Sequence, residues 1–200
     1  MNPFRFPRLS RVAALSCWAL LAMPGASQAG PIVSGTYYQF GFGDAGLAAT
    51  GCDPADPAGA FCLASSGTPT TFADASPWSF LAPASGSELI VTDAFESGDQ
   101  FEIFDFGLSL GLTSAPGANI VDCGDDPVPC LADPSISHGS FLLAAGAHAI
   151  TIVPVLAPSF GGSGYFIVDA TATPLPEPGS LALFALALAG LILARRSPLR

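Results

Sequence analysis

The chain has no lysine, and its six basic residues are arginines confined to the two ends: Arg5, Arg8 and Arg11 near the start, and Arg195, Arg196 and Arg200 at the finish. Residues 30–175 hold 15 of the 16 acidic residues and no basic one, a formal charge of −15. That interval cannot neutralise phosphates, which excludes ordinary nucleic-acid binding. It also excludes internal salt bridges to Lys or Arg, and any chemistry that needs either side chain. Charge of any sign is scarce, at 11% of residues, where typical soluble domains carry about 25%. Only two histidines are present, His138 and His148. No apolar run reaches the ~18–20 residues of an unambiguous membrane-spanning helix.

Two shorter apolar runs sit beside the arginines. The first, Val12 to Met23, follows the basic Arg5–Arg11 stretch and ends at Pro24-Gly25. It is too short to span a bilayer comfortably. Ser27-Gln28-Ala29 then offers small residues at the −3 and −1 positions of a signal-peptidase site, so cleavage is placed after Ala29. Cys17 does not read as a lipidation site, because Ala14 stands where a bulky aliphatic is usual. The second run, Ser180 to Ala194, has 15 uncharged residues rich in Leu and Ala. As a helix it is about 22 Å long, enough for a thin bilayer with flanking arginines that snorkel. Arg195 and Arg196 place its end in the cytoplasm. The expected organisation is a signal peptide (1–29), an exported domain (30–175) and a C-terminal segment (176–200).

Pro176-Glu177-Pro178-Gly179-Ser180, the apolar run and Arg195-Arg196 together resemble the PEP-CTERM sorting signal. That family occurs in Gram-negative bacteria that make extracellular polysaccharide. The resemblance implies recognition by an exosortase, a membrane-embedded cysteine transpeptidase-like enzyme, and processing near Pro176, Glu177 and Pro178. It also implies a precursor held in the inner membrane, a final place at the cell surface or in the extracellular matrix, and polysaccharide as a partner.

Between the signals, Gly and Pro punctuate the chain every eight to twelve residues and no helical pattern is strong, as in sandwiches and barrels. Strands are expected at Tyr37–Phe42, Trp78–Ala82, Glu88–Phe95, Phe101–Phe106, Gly107–Leu112, Ser140–Ala144, Ala147–Val155 and Tyr165–Thr171. Turns are expected at Ser97-Gly98-Asp99 and Ala145-Gly146, and at Asp105-Phe106-Gly107, where Phe is an odd choice for the centre. One unbroken strand through residues 102–112 is the alternative at the last. Residues 51–72 and 113–137 read as long loops. The blocks Pro77–Asp105 and Gly139–His148 resemble stretches from the middle of PEP-CTERM proteins, and the latter is similar to the final hairpin of secreted jelly-roll modules. The fold implied is mainly β: a single antiparallel β-sandwich, jelly-roll-like.

Each loop holds one cysteine pair, and export permits disulfides. Cys52–Cys62 and Cys123–Cys130 are the favoured pairings, each closing its own loop and contributing roughly 2.5–3 kcal/mol if unstrained. A tetrahedral zinc site is the rival, although the pairs lack tight CxxC spacing. Asp93, Glu96, Asp99, Glu102 and Asp105 form an acidic cluster around an expected hairpin turn, most simply a solvated face. Hard oxygen ligands without counter-charge also suit calcium, with Asp93, Asp99 and Asp105 as ligands and Asp122, Asp125 and Asp126 as a second group. The same carboxylates raise a glycosidase, which needs two at a set separation.

A serine hydrolase would need His138 or His148 beside Ser137 or Ser140 and an aspartate. No G-x-S-x-G elbow is present, and Gly161-Gly162-Ser163-Gly164 reads as a flexible loop. Tyr37, Tyr38, Tyr165 and Trp78 are the aromatics available for a sugar platform, yet a lone Trp next to Phe80 reads as core, as do the phenylalanines. The function expected is therefore a non-enzymatic exported surface or matrix protein. A glycan- or calcium-binding module is the alternative, and a secreted hydrolase the third choice.

Overall fold

The computed structural model describes residues 31–170. The expected signal peptide, sorting motif and C-terminal apolar helix lie outside the described residues. Five strands form one sheet in the order β4-β1-β11-β6-β9: β1 (Tyr37–Phe42), β4 (Thr70–Phe72), β6 (Ser87–Asp93), β9 (His138–Leu143) and β11 (Gly162–Ala170). Four strands form a second, in the order β5-β10-β7-β8: β5 (Trp78–Ala82), β7 (Gln100–Asp105), β8 (Leu108–Leu112) and β10 (Gly146–Leu156). The two-residue strands β2 (Cys52–Asp53) and β3 (Ala60–Phe61) pair in the first long loop. One short helix, α1 (Pro127–Ala132), sits in the second. No helix among the described residues is long and apolar enough to cross a membrane.

A period of two builds these strands. In β10, His148, Ile150, Ile152 and Pro154 are buried while Ala149, Thr151, Val153 and Val155 are half-exposed. In β7, Phe101 and Ile103 are buried between half-exposed Gln100, Glu102 and Phe104. The core draws side chains from both sheets: Phe40, Phe42, Leu89, Val91, Phe166 and Val168 meet Trp78, Phe101, Ile103, Ile150 and Ile152. Phe40 stands at its centre, with ring centroids 5.5 Å from Phe101, 5.8 Å from Trp78 and 6.3 Å from Phe166. Trp78 is a core residue at 1% exposure. Phe61, Phe106 and Phe160 are not, at 79%, 66% and 84%.

Connectivity departs from the local reading. The segments between β6 and β7 and between β9 and β10 are not hairpins, because each joins one sheet to the other. Among the described residues, only β7–β8 is a hairpin within a sheet. Its two central residues, Phe106 (φ 48°) and Gly107 (φ 79°), are both left-handed, as a type I′ turn requires. That excludes the single long strand through 102–112. Strand pairing is not wholly antiparallel either: β4 runs parallel to β1.

The Gly161–Gly164 segment is no flexible loop. Gly162 to Gly164 open β11 and pair with Phe42 to Phe40 of β1. A Cβ on Gly164 would come within 2.5 Å of the Phe40 ring, so glycine lets the central aromatic seat against the strand.

The five-stranded sheet is covered on its second face by the two long loops. Gln39, Thr92, Tyr165 and Ile167 are buried there although they alternate with core positions. Tyr165 Oη donates to Asp125 O at 2.7 Å, and the Cys52 sulfur lies 3.3 Å from Gln39 O. The loops also grip one another: Ser66 Oγ donates to Asp125 Oδ1 at 2.7 Å, and Thr68 N to Asp126 Oδ2 at 3.2 Å. Helix α1 starts where Asp126 accepts from Val128 N at 3.0 Å, with Pro127 at the first helical position.

Candidate functional site

The acidic cluster does not form one face. Asp105, at the far end of β7, lies about 20 Å along the strand from Asp99. Its Oδ2 meets His148 Nδ1 at 2.8 Å and its Oδ1 accepts from Ala149 N at 3.0 Å. The expected trio Asp93, Asp99 and Asp105 is therefore split, because the chain leaves one sheet at Asp93 and runs the length of the other before Asp105. Glu102 accepts from Ser109 Oγ at 2.6 Å on the outer face of the four-stranded sheet.

Asp122, Asp125 and Asp126 spend their carboxylates locally. Asp122 accepts from Gly124 N, Asp125 from Ser66, and Asp126 caps α1. The Val128 N–H bond holds the Asp126 carboxyl below its ordinary range. No three His, Cys, Asp or Glu side chains converge among the described residues.

Asp93 and Asp99 do converge, and neither is a solvated surface group. Asp93 ends β6 and is fully buried; Asp99 is 7% exposed. Asp93 accepts from Ala94 N at 2.8 Å through Oδ1 and from Asp99 N at 3.3 Å through Oδ2. Burial, and then the charge of Asp99, pushes the Asp93 carboxyl well above its ordinary value, and burial raises Asp99. Asp99 also lines a cavity of about 230 Å³ with Glu96, Ser159, Gly161, Gly162 and Ser163. Two carboxyl groups in direct hydrogen-bonding contact are closer than either glycosidase geometry allows.

The histidines are engaged elsewhere. Both ring nitrogens of His148 face acceptors, Asp105 Oδ2 at Nδ1 and Ala144 O at Nε2, 2.9 Å away. A Ser-His-Asp triad needs a serine hydroxyl where that carbonyl stands. His138 Nδ1 lies 2.8 Å from Ile136 O. Ser137 is buried, with its hydroxyl 2.7 Å from Thr113 Oγ1 and donating to Ser114 O at 2.6 Å. Ser140 donates to Glu88 on the sheet surface.

Cys52 and Cys62, and Cys123 and Cys130, stand in pairs with an S–S separation of 2.04 Å each. Sulfurs bonded in this way are not zinc ligands. A sugar platform is also not assembled from the expected aromatics: Trp78, Tyr38 and Tyr165 are buried. The exposed Phe106 and Phe160 belong to opposite ends of β10, since Phe106 N bonds Ala149 O and Phe160 follows Leu156.

Sequence reasoning missed the burial of the Asp93–Asp99 pair. Helix α1 carried a legible signal, an Asp-Pro start at Asp126-Pro127.

A family model for the PEP-CTERM protein-sorting motif matches residues 174–197. The chain thus carries the PEP-CTERM sorting signal, which implies export, a membrane-anchored precursor and processing by an exosortase. No curated protein and no solved structure matches the chain.

Proposed function

We propose that this chain is a non-catalytic structural component of the cell surface or extracellular matrix. On this reading residues 1–29 are removed at export. Residues 30–175 are a jelly-roll-like β-sandwich, and residues 176–200 deliver it to the exosortase, with Pro176, Glu177 and Pro178 as the recognised motif and Arg195 and Arg196 holding the tail in the cytoplasm. The sorting match at 174–197 is the observation that carries the reading. Connections that pass repeatedly between two sheets, around one shared core, support the sandwich.

Two features favour a structural role over hydrolysis. His148 is saturated by Asp105 and Ala144, and the hydroxyl of Ser137 is spent on Thr113 and Ser114. Secreted polysaccharide, as in a biofilm, is the proposed surrounding. The decisive experiment is mass spectrometry of the mature termini in the native host, with and without the exosortase, joined to fractionation with extracellular polysaccharide. Export with an unprocessed C-terminus in both strains overturns the sorting part. A processed protein absent from the surface and matrix fractions overturns the rest.

A further inference from the structure

Apolar side chains point outward at the pole where β11 ends. Three connections meet there: residues 83–86 lead into β6, Ala144-Ala145 leads into β10, and Phe106-Gly107 is the tip of the β7–β8 hairpin, bonded to Ala149 O near the start of β10. None of the three holds a charged residue. Phe106 is 66% exposed and Leu108 beside it 74%; Leu81 and Leu142, each on the outer face of one sheet, are both 78% exposed. The nearby carboxylates are engaged or set back. Asp105 is bonded to His148 and Ala149 N, Glu88 accepts from Ser140, and Asp169 pairs with Glu88 one register step inside the strand end. At the opposite pole the β6–β7 connection alone holds Glu96 and Asp99. Apolar exposure gathered in one uncharged region marks a surface that meets something other than water. Phe106 adds a backbone sign: its φ of 48° suits Asn or Gly, so the ring is kept at the tip at some cost to the fold.

The tether says what this surface meets. Ten residues lead from Ala170 to Ser180, where the uncharged apolar run begins, a reach of at most about 35 Å. In a membrane-anchored precursor the pole therefore stays near lipid, at an effective concentration on the order of mM. We propose that this pole is a bilayer-contacting surface, with Phe106 and Leu108 entering the headgroup–acyl boundary and Leu81 and Leu142 on either side. The proposal rests on the anchored precursor that the sorting signal implies. An uncharged apolar tip enters the interface without desolvating a charge. The tether makes so small a contact sufficient, and processing ends it, because a few exposed side chains do not hold a free domain on lipid.

The test uses the full chain reconstituted into phosphatidylcholine vesicles with acyl chains brominated near the headgroup, carrying either Phe106→Trp or Phe160→Trp. Phe160 is 84% exposed, also left-handed, and follows Leu156 at the opposite pole, so it is the matched control. Trp18 and Trp78 are common to both chains and cancel in the comparison. Bromolipid is expected to quench the Phe106→Trp chain about twofold more than the Phe160→Trp chain, with a blue shift at position 106 only. Adding Leu108→Ser is expected to bring the Phe106→Trp chain down towards the control. Equal quenching at the two positions overturns the proposal, and so does quenching that survives Leu108→Ser undiminished. A blue shift at position 106 without bromine quenching also overturns it, and assigns the pole to a second copy of the chain. A chain that does not float with the vesicles fails the anchored-precursor reading, and the docking falls with it. Flotation with equal quenching sinks the docking alone.

Discussion

The buried Asp93–Asp99 pair makes stability fall as pH rises, against the usual direction for carboxylates. Both groups bind protons more tightly folded than unfolded, Asp93 to about 8 and Asp99 to about 6, with burial the largest cause in each. A raised folded value means that the stabilising contribution is full below the unfolded value near 4. It is lost as pH climbs through the folded values. Ordinary carboxylates finish titrating below about pH 5.5, so the interval from 5.5 to 8.5 separates the pair from them. An uncompensated buried charge costs on the order of 3 kcal/mol, and residues 30–175 hold no Lys or Arg to offset it.

Asp99→Asn removes one of the two charges and gives Asp93 an amide donor. The margin of the variant over the parent is expected to widen between pH 5 and pH 8 by about 1–2 kcal/mol, roughly 3–6 °C in Tm for a domain of this size. Melting by circular dichroism across the interval measures this. The parent is compared with the variant at each pH, so other titrating groups cancel. A variant no more stable than the parent at pH 8, or a gap that does not grow with pH, refutes the reasoning.

Phe106 holds a left-handed φ of 48° and is 66% exposed; Phe106→Asn is expected to stabilise the hairpin by about 0.5–1 kcal/mol in urea unfolding, because the strain goes and little burial is lost. Trp78→Ala, at the core centre, is expected to cost about 3–5 kcal/mol in the same assay. Alkylation of protein from the periplasm under denaturing conditions is expected to find none of Cys52, Cys62, Cys123 and Cys130 reactive; four free thiols would contradict the paired sulfurs. Glu177→Ala, or removal of Arg195 and Arg196, is expected to leave the domain folded and block maturation. If parent and Glu177→Ala chains both keep the C-terminal segment in the native host, the sorting reading fails.

What was legible in the sequence is what is local. Tyr37–Phe42 and Trp78–Ala82 stand where their aromatic and apolar runs put them. The Asp105-Phe106-Gly107 turn was announced by its glycine. Sheet membership is different, since a three-residue punctuation such as Ser97-Gly98-Asp99 reads the same whether it closes a hairpin or crosses between sheets. The crossing decides the site: it buries Asp93 at the end of one sheet, sends Asp105 down the other, and leaves Asp99 at the mouth between them. Likewise, four residues of Gly and Ser look flexible until the Phe40 ring, 124 positions away from Gly164, is known to need the space. Burial of Gln39 and Tyr165 on a second sheet face was invisible for the same reason, because the loops that cover them are remote in sequence.

The two ends of β11 stand at opposite poles of the domain. The strand starts at Gly162, beside Asp99, and finishes at Ala170, about 26 Å away at 3.3 Å per residue. The sorting motif begins at residue 174, and the chain from Ala170 to Pro176 spans at most about 20 Å. Gly35 N donates to Val168 O at 2.9 Å, so the start of the domain lies at that same pole. The chain that leads to the sorting motif therefore leaves the domain at the pole away from Asp93 and Asp99. The consequence is a clean separation of variants. Asp99→Asn is expected to leave the mature C-terminal mass unchanged, and Glu177→Ala is expected to leave the pH dependence of Tm intact.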